Sequence, residues 1–370
     1  MTAPRWAAAR RVLAVRLDAL GDVLMTTPAL RALKAGGAGR HLTLLTSNAA
    51  ASVARLVPEV DEVVAHDVPW MKATPPRADG AVDRALVARL RRGRFDAAVI
   101  FTVYSQNPLP AALLCCLADV PLRLAHCREN PYQLLTDWVP DPEPGRLVRH
   151  EVRRQLDLVA RVGARTGNER LSLRVPPAAR ARAASLLDRL GVGPDRWVLV
   201  HPGASAPSRR YPAESFAEAA RSLAAQTGRE IVFMGRPEER ALVDSIRAAM
   251  RAPSHSVAGR MDLAEMAALV ARAPLLISNN TGPVHVAAAV GTPVVDLYAL
   301  TNPQHTPWHV PHRVLFHDVP CRYCYKSVCP EAHHNCLRLV PPGAVVDAAL
   351  ELLAGQGREV GTALVTPPAG

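Results

Sequence analysis

Apolar residues in this chain come in short unbroken runs, each followed by a longer stretch in which they recur at helical spacing. Short runs bounded by turn residues read as buried strands, and the longer stretches read as helices. In the first half the pattern predicts strands at 11–17, 41–46, 61–66, 96–102 and 121–126. Helices are predicted between them at 22–35, 48–57, 81–92 and 107–118, and another follows at 149–163. Arg149, Arg153 and Arg154 are expected to give that last helix a solvated basic face. Periodicity fades over 164–177, which ends in Pro176-Pro177 and reads as a linker. A second series then predicts strands at 196–201, 230–234, 274–278 and 293–299. Its helices fall at 212–227, 237–250, 262–272 and 282–290, with 341–354 closing the fold. The tail from Gly355 is rich in Gly, Pro and Thr and reads as disordered. No tandem repeat is present.

Strand and helix in strict alternation imply an α/β fold with parallel sheets. At 370 residues two domains are expected. We place them at 1–170 and 178–345, with 346–370 as closing helix and tail. Aromatic content is only 4%, so both cores must be built from Ala, Val and Leu. No run of 18 apolar residues exists, which argues against a membrane-spanning helix. The apolar run Val12–Val15 is broken by Arg16, which argues against a signal peptide. A cytoplasmic protein with reduced thiols is therefore expected. The net charge is +11, and of 44 basic residues only Lys34, Lys72 and Lys326 are lysines. That balance favours anionic partners such as sugar nucleotides or an anionic membrane surface. Nucleic acid is disfavoured, because no basic helix is interleaved with aromatics.

Two strand-to-helix turns carry the polar chemistry. The stretch Ser278-Asn279-Asn280-Thr281-Gly282-Pro283-Val284-His285 joins an apolar run to a small-residue helix. It places side-chain oxygens and free N–H groups at a helix N-terminus, which suits an anion. Roughly 260 residues earlier, Asp18-Ala19-Leu20-Gly21-Asp22 makes a similar turn after the first strand. The pair suggests two sheets serving one cleft. The first turn has a single glycine, Gly21, and so lacks the G-x-G-x-x-G of a dinucleotide site. Asp22 and Asp18 read either as helix-capping carboxylates or as chemistry. A third segment, His201-Pro202-Gly203-Ala204-Ser205 with Arg209-Arg210-Tyr211-Pro212, follows a strand. Its small hydroxyl and paired arginines suit a pyrophosphate. Glu238 and Glu239 follow another strand, where a carboxylate can accept from ribose hydroxyls. Cys321, Cys324, Cys329 and Cys336 lie close together with His333 and His334 among them. Four thiols could ligate a structural zinc or an iron–sulfur cluster, or simply pack.

Together, Val15-Arg16-Leu17-Asp18-Ala19-Leu20-Gly21-Asp22, the His201–Pro212 segment and Asn279–Ala289 resemble glycosyltransferase family 9, the bacterial heptosyltransferase family. The resemblance implies the GT-B fold, two Rossmann-like domains with a cleft between them, the first for the acceptor and the second for a nucleotide sugar. It implies Asp22 as catalytic base, with Asp18 and Gly21 on the acceptor side. Ser205, Arg209, Arg210, Glu238, Asn280, Thr281, Gly282 and His285 would bind the donor. An arginine would neutralise the leaving diphosphate in place of a metal, so no cofactor is required for catalysis. The chain departs from the family at Asn280, where an aspartate is usual, and at Leu300–Trp308.

The implied activity is inverting transfer of a sugar, ADP-heptose being the model donor, to a lipid-linked or cell-envelope glycan at the inner membrane face. The alternatives are a nucleotide-sugar 2-epimerase of the same fold, and a non-catalytic protein binding sugar nucleotide or metal.

Overall fold

The computed structural model describes residues 3–72 and 74–355. These form two compact units, one running through Arg174 and the other beginning at Val175. The predicted disordered tail lies outside the described residues.

The first unit opens with α1 (Ala3–Ala8) and β1 (Arg11–Arg16). It continues through α2 (Leu20–Ala35), β2 (His41–Thr46), α3 (Ala51–Ala54), β3 (Glu62–Ala65), α4 (Ala81–Arg92) and β4 (Ala97–Ile100). It ends with α5 (Leu109–Leu117), β5 (Leu122–Cys127), β6 (Asp137–Pro140) and α6 (Glu151–Ala160). Its strands are parallel, in the order β3-β2-β1-β4-β5-β6. Central strands covered on both faces must be apolar throughout. Accordingly β1 is buried at every position after Arg11, and β4 at all four.

The second unit runs α7 (Pro177–Leu190), β7 (Trp197–His201), α8 (Ala213–Thr227), β8 (Glu230–Phe233), α9 (Arg240–Met250) and β9 (His255–Ser256). Then come α10 (Leu263–Arg272), β10 (Leu276–Asn279), α11 (Gly282–Val290), β11 (Val294–Leu297), β12 (His312–Leu315), α12 (Asn335–Arg338) and α13 (Pro342–Leu353). Its parallel sheet has the order β12-β11-β10-β7-β8-β9. Read from the other edge, this is the same 3-2-1-4-5-6 arrangement as the first. In such sheets ligands bind at the carboxyl ends of the two strands where the winding reverses. Those strands are β1 and β4 in one unit, β7 and β10 in the other.

Local chemistry explains the elements that frame these points. Pro28 lies inside α2 and cannot donate to the Leu24 carbonyl. The Thr27 hydroxyl takes that place, donating to Leu24 at 2.7 Å, so the helix continues. Helix α11 stops at Gly291, whose φ of 87° is left-handed and suits a residue without Cβ.

Several expectations need correction. The segment from Pro177 begins a helix, α7, rather than ending a linker. The edge strands β6, β9 and β12 carry no apolar run and escape the pattern. The predicted helix at 48–57 is only a 3₁₀ turn leading into α3. The helix at 149–163 has no simple solvated basic face. Arg154 is buried, with Nη2 2.8 Å from Asp141, and Arg149 Nη2 lies 2.8 Å from the buried Glu143.

Candidate active site

Strand β1 ends on a charged residue that is fully buried, Arg16. Its guanidinium serves three carboxylates. Nη1 lies 2.7 Å from Glu151 at the start of α6, Nη2 lies 3.1 Å from Asp22, and Nε lies 2.9 Å from Asp18. Glu151 is also completely buried and accepts from the Gln155 amide at 2.6 Å. Burial pulls the Arg16 pKa down, but Asp18, Glu151 and Asp22 more than reverse this and hold it above its ordinary value. Burial pushes the Asp18 carboxyl up to about 6; Arg16 pulls it back and the charge on Asp22 adds to the rise. Asp18 also accepts from the Gln106 amide, in the loop after β4. The loops after β1 and β4 are thereby tied together at the winding reversal.

Asp22 occupies the third position of α2. One oxygen takes the Arg16 contact and the other accepts from the Ala19 N–H at 3.1 Å. It therefore caps the helix as half of a capping box while its side chain remains 17% exposed. The capping and chemical readings of this residue are compatible. Gly21 is buried one position earlier. Sequence reasoning missed Arg16, Glu151 and Gln106, whose partners lie too far along the chain to form a local pattern.

In the second unit, the loop after β7 carries Ser205, Arg209 and Arg210. Ser205 and Arg210 are exposed and Arg209 is half-buried. Arg210 Nε donates to the Ala204 carbonyl at 2.9 Å, which folds it back on its own loop. The Arg209 N–H donates to the Ala206 carbonyl at 3.0 Å; its guanidinium makes no hydrogen bond or ion pair among the described residues, yet its charge reaches the buried Asp296. Of the two, Arg209 is the better placed to meet an anion.

The carboxylate that faces this loop is Glu239. Glu238 is exposed, whereas Glu239 is buried. It accepts from the Arg236 N–H at 2.8 Å and lies 3.5 Å from His201. Burial alone would raise its pKa; His201 and the Arg236 N–H and guanidinium outweigh this and hold it down at about 2. A Cβ at Gly203 would come within 2.2 Å of the Glu239 carboxylate, so the glycine is required by this close approach. Of the two carboxylates the sequence offers after β8, the structure thus turns Glu239 toward this loop and leaves Glu238 exposed.

Asn280 follows β10, Thr281 is the N-cap of α11, Gly282 is its first residue, and His285 lies buried in its first turn. The first N–H groups of this helix and its positive end are the features from which the sequence reading expects an anion site. The structure also explains the asparagine. Its Nδ2 donates to Asp296 Oδ2 and to the His305 carbonyl, both at 2.9 Å. Asp296 is fully buried on β11, and desolvation pushes its pKa well up despite Asn280 and Arg209. An aspartate at 280 would set one carboxylate against another with no donor for either acceptor. Asn280→Asp is therefore expected to lower unfolding stability by about 1–3 kcal/mol or more. Adding Asp296→Asn should return part of the loss, because an amide again faces the carboxylate while the His305 carbonyl still lacks its donor. Denaturant titration of both single variants and the double variant checks this. Additive losses would refute the pairing.

The four C-terminal cysteines line one small cavity of about 20 Å³ with His333 and His334. Cys321 Sγ lies 3.8 Å from His333 Nε2. Burial pushes the Cys321 and Cys336 thiols up, and both pack against Tyr298, Leu300 and Val319. Among the described residues no three His, Cys, Asp or Glu side chains are arranged to hold a metal. The thiols as placed do not fit the structural zinc, one of the readings the sequence left open. Their segment braces the loop after β7: Ser208 donates from its N–H to the Ser327 carbonyl at 3.1 Å and from its hydroxyl to the Lys326 carbonyl at 2.8 Å.

Two all-parallel sheets of the same 3-2-1-4-5-6 order, each with polar residues gathered at its winding reversal, define two units of the Rossmann-like class. Residues 84–334 match the family model of glycosyltransferase family 9 (heptosyltransferase), and the chain belongs to that family. It is a glycosyltransferase. Over 361 residues it is 24% identical to lipopolysaccharide heptosyltransferase 2 of Salmonella typhimurium, covering 94% of this chain and 99% of the relative. Among solved structures it superposes on a family 9 glycosyltransferase from Veillonella parvula with a TM-score of 0.76. The two are 23% identical, and the match covers 94% of this chain and 98% of the other. The E. coli ADP-heptose lps heptosyltransferase II gives 0.72 at 22% identity, covering 94% and 100%. These likenesses show the fold, which is GT-B.

Proposed function

We propose that this enzyme transfers heptose from a nucleotide-activated donor of the ADP-heptose type to the glycan core of a lipid-linked acceptor. Transfer inverts the anomeric carbon and uses no divalent metal. The observation that carries this reading is the Asp22 carboxylate, held in place by Arg16 and the Ala19 N–H at the carboxyl edge of β1. Asp22 accepts the proton of the acceptor hydroxyl as that oxygen bonds to the anomeric carbon. The bond from that carbon to the diphosphate breaks on the opposite side. The leaving diphosphate is met by the Arg209 guanidinium and by the N–H groups of Thr281 and Gly282. Such fixed donors stabilise charge as it develops. Ser205 and Arg210 line the same loop, and Glu239 receives the ribose hydroxyls.

The donor's heptose and adenine come from the names of the relatives, as does the lipopolysaccharide acceptor. The +11 charge supports residence at the anionic inner face of a membrane. No helix among the described residues is long and apolar enough to cross one.

The test is product analysis with ADP-heptose and a lipid-linked core acceptor. The expected product is a glycoside of inverted anomeric configuration, formed equally well in EDTA. Loss of activity in chelator that Mg²⁺ restores would overturn the metal-free mechanism. Epimerised donor formed without acceptor would favour the epimerase. Arg209→Ala is expected to weaken ADP binding by about 1.5–3 kcal/mol, the range for hydrogen bonds to charged groups. Arg210→Ala should cost less, since that side chain is held by Ala204. Calorimetric titration of ADP separates the two, and equal losses would remove the special place of Arg209.

A further inference from the structure

The second unit contains a cavity of about 470 Å³ that none of the residues assigned to the donor lines. Its walls are β9, the edge strand of that sheet, together with α9 and Leu190 at the end of α7. β9 stands two places from β7 in the sheet order. Ser254, just before β9, and Leu190 extend the cavity toward the amino edge of the sheet. Ser205, Arg209 and Thr281 belong instead to the loops at the carboxyl ends of β7 and β10. The volume falls within the usual range of ligand sites, about 300–1,000 Å³.

Three arginines set the chemistry of this cavity. Arg240, Asp244 and Arg247 recur at helical spacing on α9 and share one face, and Arg260 enters from the loop after β9. Elsewhere in this unit arginines find carboxylates: Arg313 lies 2.7 Å from Glu351, and Arg322 lies 3.2 Å from Asp318. Here neutral groups hold them. Arg240 donates from Nε to the Ala258 carbonyl at 3.2 Å and from Nη2 to the Gly259 carbonyl at 2.8 Å. Its approach requires the glycine: Gly259 has a φ of 66°, and a Cβ there would come within 2.4 Å of Arg240 Nε. Arg247 donates from Nε to the Ser254 hydroxyl at 3.2 Å and from Nη2 to the Ser254 carbonyl at 2.8 Å. The Arg260 guanidinium makes no hydrogen bond or ion pair among the described residues. Asp244 is the one carboxylate among the described lining residues, and it lies 3.8 Å from Arg247 Nη1 with its side chain 68% exposed. His255 is turned to Glu230, 2.6 Å away.

We propose that this cavity is a second anion site, separate from the donor site, and that it binds the phosphoryl group of a phosphate monoester. The proposal stands whether or not the transfer reading does. Three guanidinium charges face one carboxylate, so the lining carries an excess of positive charge. A phosphate monoester carries about −1.5 to −2 at neutral pH and three strong acceptor oxygens, which balances that excess. Carbonyls and a hydroxyl fix Arg240 and Arg247 without neutralising them, and most of the N–H groups of all three arginines stay available. Planar guanidinium forks match phosphate oxygens in pairs, which lysine cannot do. A phosphoryl group occupies a small part of this volume. The remainder has room for the small polyol or glycerol unit to which the phosphate is joined.

The test uses the full-length protein with ADP at saturation, so that the donor site is filled. Inorganic phosphate is titrated at constant ionic strength and followed by phosphorus NMR. Saturable binding is expected in the presence of ADP. Arg260→Ala removes a guanidinium with no partner to lose, and Arg247→Gln keeps a polar group beside Ser254, so both variants should fold. Each is expected to weaken phosphate by roughly 10–100-fold, the loss that follows from one charged hydrogen bond, while ADP affinity stays at the wild-type value. Cosedimentation with phosphatidylcholine vesicles, with and without phosphatidic acid, separates the two sources of the phosphoryl group. Retention by phosphatidic acid that both variants abolish would assign the site to a lipid headgroup. Saturable phosphate binding without such retention would assign it to a soluble ester. Phosphate binding that does not saturate, that ADP displaces, or that both folded variants keep at full strength would overturn the proposal.

Discussion

Asp22→Asn is expected to lower the rate of sugar transfer by roughly 10²–10⁴-fold, the usual worth of a positioned general base, with ADP affinity unchanged. The substitution preserves shape. The amide oxygen can still accept from Arg16 or from the Ala19 N–H, so the start of α2 should hold. Basicity is what disappears. The acceptor hydroxyl would then attack with its proton still bound, or surrender it only to water. The loss should appear in kcat, because the carboxylate acts on a proton in flight rather than on a bound ground state. Steady-state kinetics with separate titration of ADP distinguish this from a binding defect. A folded variant with nearly normal turnover would leave Asp22 as a helix cap alone.

Arg16→Met should be the most damaging single change to stability in the first unit. The thioether can fill much of the space but supplies no charge. Glu151 is fully buried, and Asp18 and Asp22 are partly buried. Removing one member of such a network costs about 3–5 kcal/mol, because the remaining charges stay buried without compensation. For a unit of this size that lowers the melting temperature by roughly 6–20 °C. The sign of the pH dependence identifies the cause. Arg16 is what pulls the Asp18 carboxyl back down, so without it the Asp18 pKa rises further above its unfolded value. Asp18 already stands at about 6 with the arginine present. A carboxyl whose folded pKa is raised favours the native state at low pH, and this contribution is lost as pH climbs from about 4 through the folded value. The gap between variant and wild type should therefore narrow as pH falls from 8 to 5. A deficit that stays constant over that range would point to lost packing. Arg16→Lys keeps one charge and should recover part of the loss.

Much of this was legible along the chain because parallel strands buried on both faces need unbroken apolar runs. β1, β2, β4, β7 and β10 announce themselves in that way. The edge strands β6, β9 and β12 contain Asp137-Trp138, His255-Ser256 and His312-Arg313, which carry no such run. α7 is built from Ala and Arg with few large apolar residues, so its helix propensity was hidden by weak periodicity. Asp22, Arg209 and Thr281 could be named because turn chemistry is local. Arg16 read as an interruption of an apolar run, since its meaning depends on Glu151, 135 residues further on. Asn280 likewise looked like a lost carboxylate. Its partner Asp296 stands on the neighbouring strand, where pairing and not sequence proximity brings them together. Which of Glu238 and Glu239 is buried is a matter of helical phase, which only the observed first turn after β8 fixes.

The distance between Arg16 and Glu151 also has a temporal side. A ribosome adds about 5–20 residues per second, so roughly 7–27 s separate the synthesis of these two residues. During that interval β1 can pair with β2, and later with β4 once residue 97 has emerged. Its terminal guanidinium, meanwhile, has Asp18 and Asp22 but not the third carboxylate that completes its enclosure. The nascent first unit must keep that end of the sheet hydrated until α6 arrives, so burial of the turn after β1 is among the last events of its folding on the ribosome.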